Sequence, residues 1–220
     1  MQTIVISLGG SIIAQDKINY KFLDKFKKII LKHKKYNFII VTGGGKTART
    51  YIEAARKEKL SEEEASFLGI LTTRLNANLI ADIFNQTRIP ETHQELKTIK
   101  SRIIVCGALG NKSGMTSDAN AAEIARDKKA KFFINMTNVP GLFTDDPKTH
   151  KNASLIPFIT HNDFHNKIKK IKYKAGQHFV LDQKASEIIK KNNITTIILE
   201  GNHQLNNVLN NKKFIGTIIS

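Results

Sequence analysis

Apolar and polar positions follow two different periodicities along the chain. Short apolar runs typical of buried strands occur at 3–8, 37–42, 102–106, 131–136 and 195–199. Between these runs, apolar residues recur at the spacing of a helix face, as they do in the segment 19–34. Strands that alternate with helices in this way predict an α/β fold with a mainly parallel central sheet.

The predicted helices occupy the segments between the apolar runs, at 19–34, 46–59, 61–86, 91–100, 118–128, 162–171, 181–192 and 203–211. Ser61 and Glu64 have the spacing of a capping box, which marks the start of the third of these helices. The chain ends on the apolar segment GTIIS. A length of 220 residues predicts one large domain with a core of its own.

Glycine-bearing loops follow three of the predicted strands. Gly9 and Gly10 follow the first strand, a run at 43–45 follows the second, and a glycine-rich loop at 107–117 follows the third. Ligands of open α/β sheets bind beyond the carboxyl ends of the strands, and glycine lets the backbone approach a phosphate near a helix start. The three loops therefore predict a phosphate site, although each glycine pair alone is also explained by a simple turn.

Two common nucleotide-binding motifs are excluded. Gly45-Lys46-Thr47 resembles the end of a P-loop, but that motif needs a glycine where the chain has Ile40. No G-x-G-x-x-G follows the first strand, which argues against a dinucleotide-binding site. The single cysteine, Cys106, lies in an apolar run and is predicted to be a core residue, and it excludes an internal disulfide.

The chain is strongly basic, with 35 Lys and Arg, 19 Asp and Glu, and a formal net charge of +16. Such a balance is compatible with nucleic acid or anionic lipid as a partner. The lysines are scattered in short clusters, so we interpret most of them as solvated surface that also attracts an anionic substrate. No apolar run approaches the roughly 20 residues of a membrane span, and no signal peptide is recognisable. We expect a cytoplasmic protein without a membrane or nucleic-acid partner.

Ten short motifs occur in a fixed order along essentially the whole chain. They are Ser7-Leu8-Gly9-Gly10-Ser11, Gly43-Gly44-Gly45-Lys46-Thr47-Ala48-Arg49, Tyr51-Ile52-Glu53-Ala54-Ala55, Thr73-Arg74-Leu75-Asn76-Ala77, Thr116-Ser117-Asp118-Ala119, Thr137-Asn138-Val139, Gly141-Leu142-Phe143, Asp146-Pro147-Lys148, Lys174-Ala175-Gly176 and Asp182. In combination they resemble the amino-acid kinase superfamily, and within it the archaeal type of uridylate kinases.

This resemblance implies a three-layer α/β/α sandwich formed by a single domain over 1–220. The part at about 1–130 would hold the phosphate acceptor, and the part at about 131–220 would hold ATP. The implied reaction is ATP-dependent phosphorylation of UMP to UDP with Mg²⁺, in a homohexamer. No side chain is assigned as a metal ligand.

The resemblance also assigns the site residues. The acceptor side would consist of Gly44, Ser66, Gly114, Met115, Thr116, Ser117 and Asp118. The ATP side would consist of Ser7, Gly9, Gly10, Ser11, Gly45, Arg49, Thr137, Asn138, Phe143 and Asp146. Backbone N–H groups of Gly9, Gly10, Gly44 and Gly45 would hold phosphates.

Several positions depart from the family's pattern. Many relatives carry a lysine where this chain has Ser7, so Lys46 becomes the predicted catalytic cation, together with Arg49. Ser66 replaces an aspartate that meets the acceptor ribose, and the loop at 109–117 lacks the family's histidines. A related phosphotransferase with another small phosphate or carboxylate acceptor is therefore an alternative. A non-catalytic nucleotide- or oxyanion-binding protein is a second one.

Five of the assigned residues also have structural explanations. Asp118 could cap a helix, Asn138 and Asp146 could hold turns, and Phe143 could belong to the core. Gly44 is predicted to let the acceptor phosphate lie against the backbone, whereas its alternative role is to supply a positive φ in a tight turn.

Overall fold

The computed structural model describes residues 1–111, 114–147, 149–170 and 181–220. The strands are β1 (Gln2–Leu8), β2 (Tyr36–Thr42), β3 (Ile103–Cys106), β4 (Phe132–Thr137), β5 (Phe158–Ile159), β6 (Thr196–Glu200) and β7 (Gly216–Ile219). The helices are α1 (Gly10–Ile13), α2 (Tyr20–Lys32), α3 (Gly45–Lys57), α4 (Glu62–Ile83), α5 (His93–Thr98), α6 (Ser117–Asp127), α7 (His161–Lys170), α8 (Gln183–Lys191) and α9 (Gly201–Leu209). The motif Lys174-Ala175-Gly176, Lys148 and residues 112–113 lie outside the described residues.

All described strands belong to one sheet in the order β3-β2-β1-β4-β6-β7-β5. The five strands from β3 to β6 in this order are parallel, whereas β7 is antiparallel to β6. The chain moves outward from β1 to β2 and β3 and then places β4 on the opposite side of β1. This reversal creates a topological switch point between β1 and β4, where ligands of open α/β sheets bind. The predicted mainly parallel sheet is confirmed.

Helices cover both faces of the sheet and produce two buried apolar clusters. Within β1, Ile4 and Ile6 face one cluster and Val5 faces the other, because successive side chains of a strand point to opposite faces. This burial on both faces explains the nearly continuous apolar runs of the sequence. The result is the predicted three-layer α/β/α sandwich. Cys106 is fully buried as predicted, and burial raises the pKa of its thiol to about 12.

The long helix α4 begins with the capping box that the sequence predicts. The Ser61 hydroxyl accepts a hydrogen bond from the backbone N–H of Glu64 at 3.2 Å, and the Glu64 carboxylate accepts one from the backbone N–H of Ser61 at 2.8 Å. None of the helices in the described part of the chain combines the length and the apolar character that a bilayer span requires.

Side chains of α4 hold the two loops that follow β2 and β3. The Asn76 amide donates to the carbonyl oxygen of Gly43 at 2.7 Å. The Thr73 hydroxyl accepts from the backbone N–H of Ala108 at 2.9 Å, and its carbonyl accepts from the Thr42 hydroxyl at 2.8 Å. Buried polar groups are costly unless they are paired, so these bonds fix the loops relative to the helix.

Two glycines allow these loops to approach the helices closely. A Cβ atom on Gly44 would lie 2.5 Å from Cβ of Ala48 and 2.6 Å from Oγ1 of Thr72, and one on Gly107 would lie 2.8 Å from the backbone nitrogen of Arg74. Gly44 has φ −83°, so the explanation of this residue by a positive φ is wrong. The positive φ belongs to Gly45, at +64°. The space left by the missing side chain of Gly44 is therefore occupied by Ala48 and Thr72.

Gly44→Ala is expected to lower the free energy of unfolding by about 1–3 kcal/mol, because the new methyl group has no space between α3 and α4. Gly69→Ala is the matched control in the same helix pair. Its methyl group would meet only the end of the Ile52 side chain, at 3.0 Å, and alanine favours a helix interior by about 1 kcal/mol. Urea unfolding of both variants checks this, and equal stabilities would contradict the close packing at Gly44.

Candidate functional site

A cavity of about 210 Å³ lies at the carboxyl ends of β1, β2 and β4, at the switch point of the sheet. We call it the glycine cavity. It is lined by Gly9, Gly10, Ser11, Gly43, Gly44, Gly45, Arg49, Ser117, Asp118, Asn135, Met136, Thr137, Asn138 and Val139. The first two glycine loops touch here, since a Cβ atom on Gly10 would lie 2.2 Å from the backbone nitrogen of Gly45. The first two of the three glycine loops therefore meet at this sheet edge, and Ser117 is the residue of 107–117 that lines the same cavity.

Unpaired backbone donors line this cavity. The N–H groups of Gly10, Gly44 and Gly45 have no hydrogen-bond partner within the described residues. Gly45 is the first residue of α3, so the positive end of this helix dipole lies at the cavity. The N–H group of Gly9 instead donates to the carbonyl oxygen of Met136 at 3.0 Å, so its role as a phosphate donor stays a prediction and would require this bond to be shared or broken. Such a set of donors is suited to an anion.

Of the two predicted cations, only Arg49 lines the cavity. Arg49 lies in the second turn of α3, is exposed, and makes no hydrogen bond or ion pair with any residue that the structure describes. Lys46 is paired with Asp16 at 2.5 Å, and its side chain is 58% exposed outside the cavity lining. Arg49 is therefore available to a ligand without breaking an existing pair. The catalytic roles of both residues stay predictions.

Asp118 places a partly buried carboxyl group at the switch point. Its Oδ1 accepts a hydrogen bond from the hydroxyl of Ser7 on β1 at 2.7 Å, and its side chain is also hydrogen-bonded to Asn135 on β4. Burial raises the pKa of Asp118 to about 7, and the charge of Asp182 raises it as well, although the two hydrogen bonds act in the opposite direction. Ser7 is itself buried, so the structure places it behind Asp118.

The N-terminus of α6 is capped by Thr116. The hydroxyl of Thr116 accepts from the backbone N–H of Ala119 at 3.0 Å, so the explanation of Asp118 as a helix cap is wrong. The same hydroxyl donates to the carboxylate of Asp182, which caps α8 by accepting from the backbone N–H of Ala185 at 2.9 Å. These bonds join the starts of two helices directly behind the cavity.

Part of the predicted acceptor side lies at a second cavity, of about 310 Å³, which we call the α4 cavity. It is lined by Glu63, Glu64, Ser66, Phe67, Ile70 and Asn111. The backbone N–H of Gly114 donates to the hydroxyl of Ser66 at 3.4 Å, so these two predicted residues lie together. The side chain of Met115 is buried in the core, and any contact with an acceptor is therefore limited to its backbone.

Only some of the residues predicted to bind ATP line the glycine cavity. Thr137 and Asn138 line it where β4 ends, whereas Phe143 and Asp146 are not among the lining residues. Phe143 forms an isolated antiparallel bridge with Leu155. The backbone carbonyl of Asp146 accepts from the N–H of His150 at 2.8 Å.

Sequence reasoning missed Asn135 as a site residue. It is 3% exposed on β4 and its side chain contacts that of Asp118. The sequence did indicate a special role for Asn135, because it is a polar residue inside the apolar run FFINM. A buried amide requires hydrogen-bond partners. The sequence gave no such indication for Thr73 and Asn76 of α4, which hold the loops, because threonine and asparagine are equally common on exposed helix faces.

Comparisons with known proteins agree on one family. The model of the amino acid kinase family matches residues 2–200. A uridylate kinase of Methanococcus aeolicus is 35% identical over 229 residues, which cover 99% of this chain and 99% of that protein. A uridylate kinase of Methanoregula boonei is 35% identical over 215 residues, covering 94% and 89% respectively. The crystal structure of uridylate kinase from Archaeoglobus fulgidus superposes with a TM-score of 0.84 at 30% identity, covering 100% of both chains.

The raised pKa of Asp118 predicts a pH-dependent stability. The folded protein keeps this proton up to about pH 7, whereas the ordinary value is 3.8, so the folded state binds more protons between these values. The contribution of this carboxyl to stability therefore falls as the pH rises through that window. The free energy of unfolding of Asp118→Asn minus that of the parent is therefore expected to be larger at pH 8 than at pH 5, by at least about 1 kcal/mol.

Urea unfolding at both pH values measures this difference. Asp82→Asn is the control, because it removes an exposed carboxylate outside the site. A difference in stability between Asp118→Asn and the parent that does not change with pH would refute the raised pKa of this carboxyl.

Proposed function

The chain belongs to the amino acid kinase family, and we propose that it transfers the γ-phosphoryl group of ATP to UMP, giving ADP and UDP. The observation that carries this proposal is the set of unpaired N–H donors at the glycine cavity, in a chain that matches uridylate kinases over nearly its whole length. Phosphoryl transfer consists mostly of positioning and of charge neutralisation on the transferred oxygens. Backbone donors, a helix N-terminus and Arg49 supply these two requirements.

In this proposal the phosphates of ATP lie against the first two glycine loops. The free N–H groups of Gly10 and Gly45 donate to phosphate oxygens, and Arg49 adds a charge-assisted bond. Thr137 and Asn138 extend the site along the end of β4 toward the C-terminal part of the chain, about 131–220. Ser11 lines the same cavity, and Phe143 and Asp146 would lie at a greater distance along the nucleotide.

The acceptor lies on the α4 side, in the N-terminal part at about 1–130. Its phosphate meets Gly44 and the start of α6, where Ser117 lines the glycine cavity and the α6 dipole favours an anion. Its nucleoside reaches toward Ser66 and Gly114 at the α4 cavity. Since Ser66 is neutral, it offers a hydroxyl where the family's pattern has a carboxylate.

Asp118 lies between these two parts of the site. A full negative charge there would repel both phosphates, but its pKa of about 7 means that the group keeps a proton for part of the time at neutral pH. Ser7 and Asn135 hold the carboxyl in one orientation. We therefore assign Asp118 as a group that orients the reacting phosphates without strong repulsion.

Mg²⁺ fits this site as an ion carried by the nucleotide. In the part of the chain that the structure describes, no three His, Cys, Asp or Glu side chains converge on one point. Mg²⁺ commonly keeps several waters and binds substrate phosphates together with one or two carboxylates, and Asp118, which lines the glycine cavity, would serve as such a carboxylate only in its ionised form. When bound, the ion would neutralise charge on the transferred phosphoryl group.

We also propose that the protein is a cytoplasmic homohexamer, as the family resemblance implies. Phe67, Leu71 and Leu75 follow one another at intervals of four along α4, and they are 41%, 42% and 64% exposed. Side chains at this spacing form one stripe on a helix, which supports α4 as the contact with a second copy of the chain. Sedimentation velocity measures the assembly directly.

UMP is expected to be the preferred acceptor among UMP, CMP, AMP and GMP. Coupled assays of ADP release with each nucleoside monophosphate give kcat/KM values for this comparison. A panel of small phosphates and carboxylates tests the related phosphotransferases in the same assay. An acceptor with a kcat/KM about ten times that of UMP, which corresponds to 1.4 kcal/mol, would overturn the substrate but not the reaction class.

Arg49→Ala is expected to lower kcat/KM by the equivalent of about 1.5–3 kcal/mol, the range for a lost charged hydrogen bond. Lys46→Ala is expected to have a smaller effect, because Lys46 is paired with Asp16 on the surface. Arg88→Ala, an exposed arginine outside both cavities, is the control. A larger loss for Lys46→Ala than for Arg49→Ala would make Lys46 the main cation of the transfer.

A further inference from the structure

We propose that Arg74 and Glu91 position the loop at 109–117 and thereby set the affinity for the phosphate acceptor, although neither residue lines the glycine cavity or the α4 cavity. This inference rests on the proposed function, since it assumes that the loop contacts the acceptor. We call the loop the acceptor loop and the Arg74–Glu91 pair the loop clamp.

The guanidinium of Arg74 joins three groups. Its Nη2 donates to the carbonyl oxygen of Gly110 at 3.3 Å and to Oδ1 of Asn111 at 3.2 Å. Its Nη1 forms an ion pair with the carboxylate of Glu91 at 2.8 Å. The Arg74 side chain is only 15% exposed, whereas that of Glu91 is 58% exposed, so the guanidinium end of the pair is shielded from water while its carboxylate end is solvated.

Glu91 completes the clamp from the other side of Gly110. Its carbonyl oxygen accepts from the backbone N–H of Gly110 at 2.7 Å, and its own N–H donates to the carboxylate of Glu95 at 2.8 Å. Both backbone polar groups of Gly110 are therefore held, one by Glu91 and one by Arg74. Gly110 has φ +74° and open space around it, so hydrogen bonds rather than packing fix this turn.

The clamp lies at the first of three anchors of the acceptor loop. Asn111, held by Arg74, lines the α4 cavity. The second anchor is the bond from Gly114 to Ser66, and the third is Thr116, which caps the helix that carries Asp118. Because these contacts hold Gly110, Asn111, Gly114 and Thr116, the described residues of the loop have fixed positions before the acceptor binds. Ordering a loop in advance lowers the entropy cost of binding.

This arrangement predicts an effect on one substrate only. The proposed ATP contacts are mainly at the ends of β1, β2 and β4 and in α3, and within the described residues the hydrogen bonds and ion pair of the two clamp side chains do not reach them. A loosened acceptor loop should therefore raise the KM for UMP and leave the KM for ATP unchanged. Only arginine can make all three contacts, because its planar guanidinium carries several N–H donors that bind Gly110, Asn111 and Glu91 at once. A lysine ammonium is a single point charge.

The test compares Arg74→Met and Arg74→Lys with the parent, and Arg88→Met is the matched control because Arg88 is exposed. Steady-state kinetics give kcat and the KM for each substrate, and hydrogen exchange reports the amides of Gly110 and Gly114. We expect Arg74→Met to raise the KM for UMP about tenfold or more, with the KM for ATP within about twofold, and to speed exchange at both glycines. Arg74→Lys should recover part of the loss, since it keeps the pair with Glu91.

Glu91→Gln is a milder second variant in case Arg74→Met does not fold. It removes the charge but keeps the backbone bond to Gly110, so a rise of about threefold in the KM for UMP is expected. Unchanged KM for UMP together with unchanged exchange at Gly110 overturns the proposal. Equal changes in both KM values with a lower melting temperature also overturn it, because they indicate a general loss of structure.

Failure of the proposed function gives a different result. A parent that does not prefer UMP refutes the substrate assignment, and the same variants are then measured with the acceptor that the parent does prefer. The positioning role of Arg74 and Glu91 is supported if the variants raise the KM for this acceptor and the amide of Gly110 exchanges faster. It is refuted if neither quantity changes.

Discussion

The site depends on the close approach of α4 to the loops that follow β2 and β3. Asn76 and Thr73 bond to the backbone of these loops at Gly43 and Ala108, and glycine at position 44 leaves no side chain in between. Without this contact, the second glycine loop would be held against the first mainly by the sheet, where the N–H group of Gly43 donates to the carbonyl oxygen of Leu8 at 2.9 Å. The free N–H groups at the glycine cavity would then be held together less firmly. The binding geometry is therefore a consequence of helix packing, and not of the glycine loops alone.

A second constraint is electrostatic. Asp118 and Asp182 lie near each other at the starts of α6 and α8, where helix dipoles stabilise negative charge. Burial and mutual repulsion work against that stabilisation, and the balance leaves the pKa of Asp118 at about 7. Thr116 bridges the two helix starts by donating to Asp182. The carboxyl is thus held in place while carrying less charge than an exposed aspartate at neutral pH.

The sequence predicted those features that are local along the chain. Buried parallel strands gave apolar runs, helix starts gave cap residues, and glycines marked the loops, so the fold class was predictable, as were the glycine loops after β1 and β2. The direction of β7 and its pairing with β5 were not predictable, because they depend on strands far apart in sequence. The close approach of Gly44 to Thr72 and the hydrogen bond from Arg74 to Gly110 were not predictable either, because they also join residues far apart in sequence. The sequence offered Asp118 as a cap of α6, two residues after the true cap Thr116, because threonine and aspartate are both good cap residues.

The two sides of the site differ in how they are built. The proposed ATP side is formed by strand ends and helix starts, whose positions are set by the whole sheet. The proposed acceptor side is formed by one loop that is attached by a few hydrogen bonds to Arg74, Glu91 and Ser66. Changes in the loop can therefore alter the acceptor without disturbing the core. The departures from the family's pattern at Ser66 and within 109–117 fall on this side, where the fold constrains the sequence least. Acceptor choice is thus the property of this enzyme that its structure leaves most free to change.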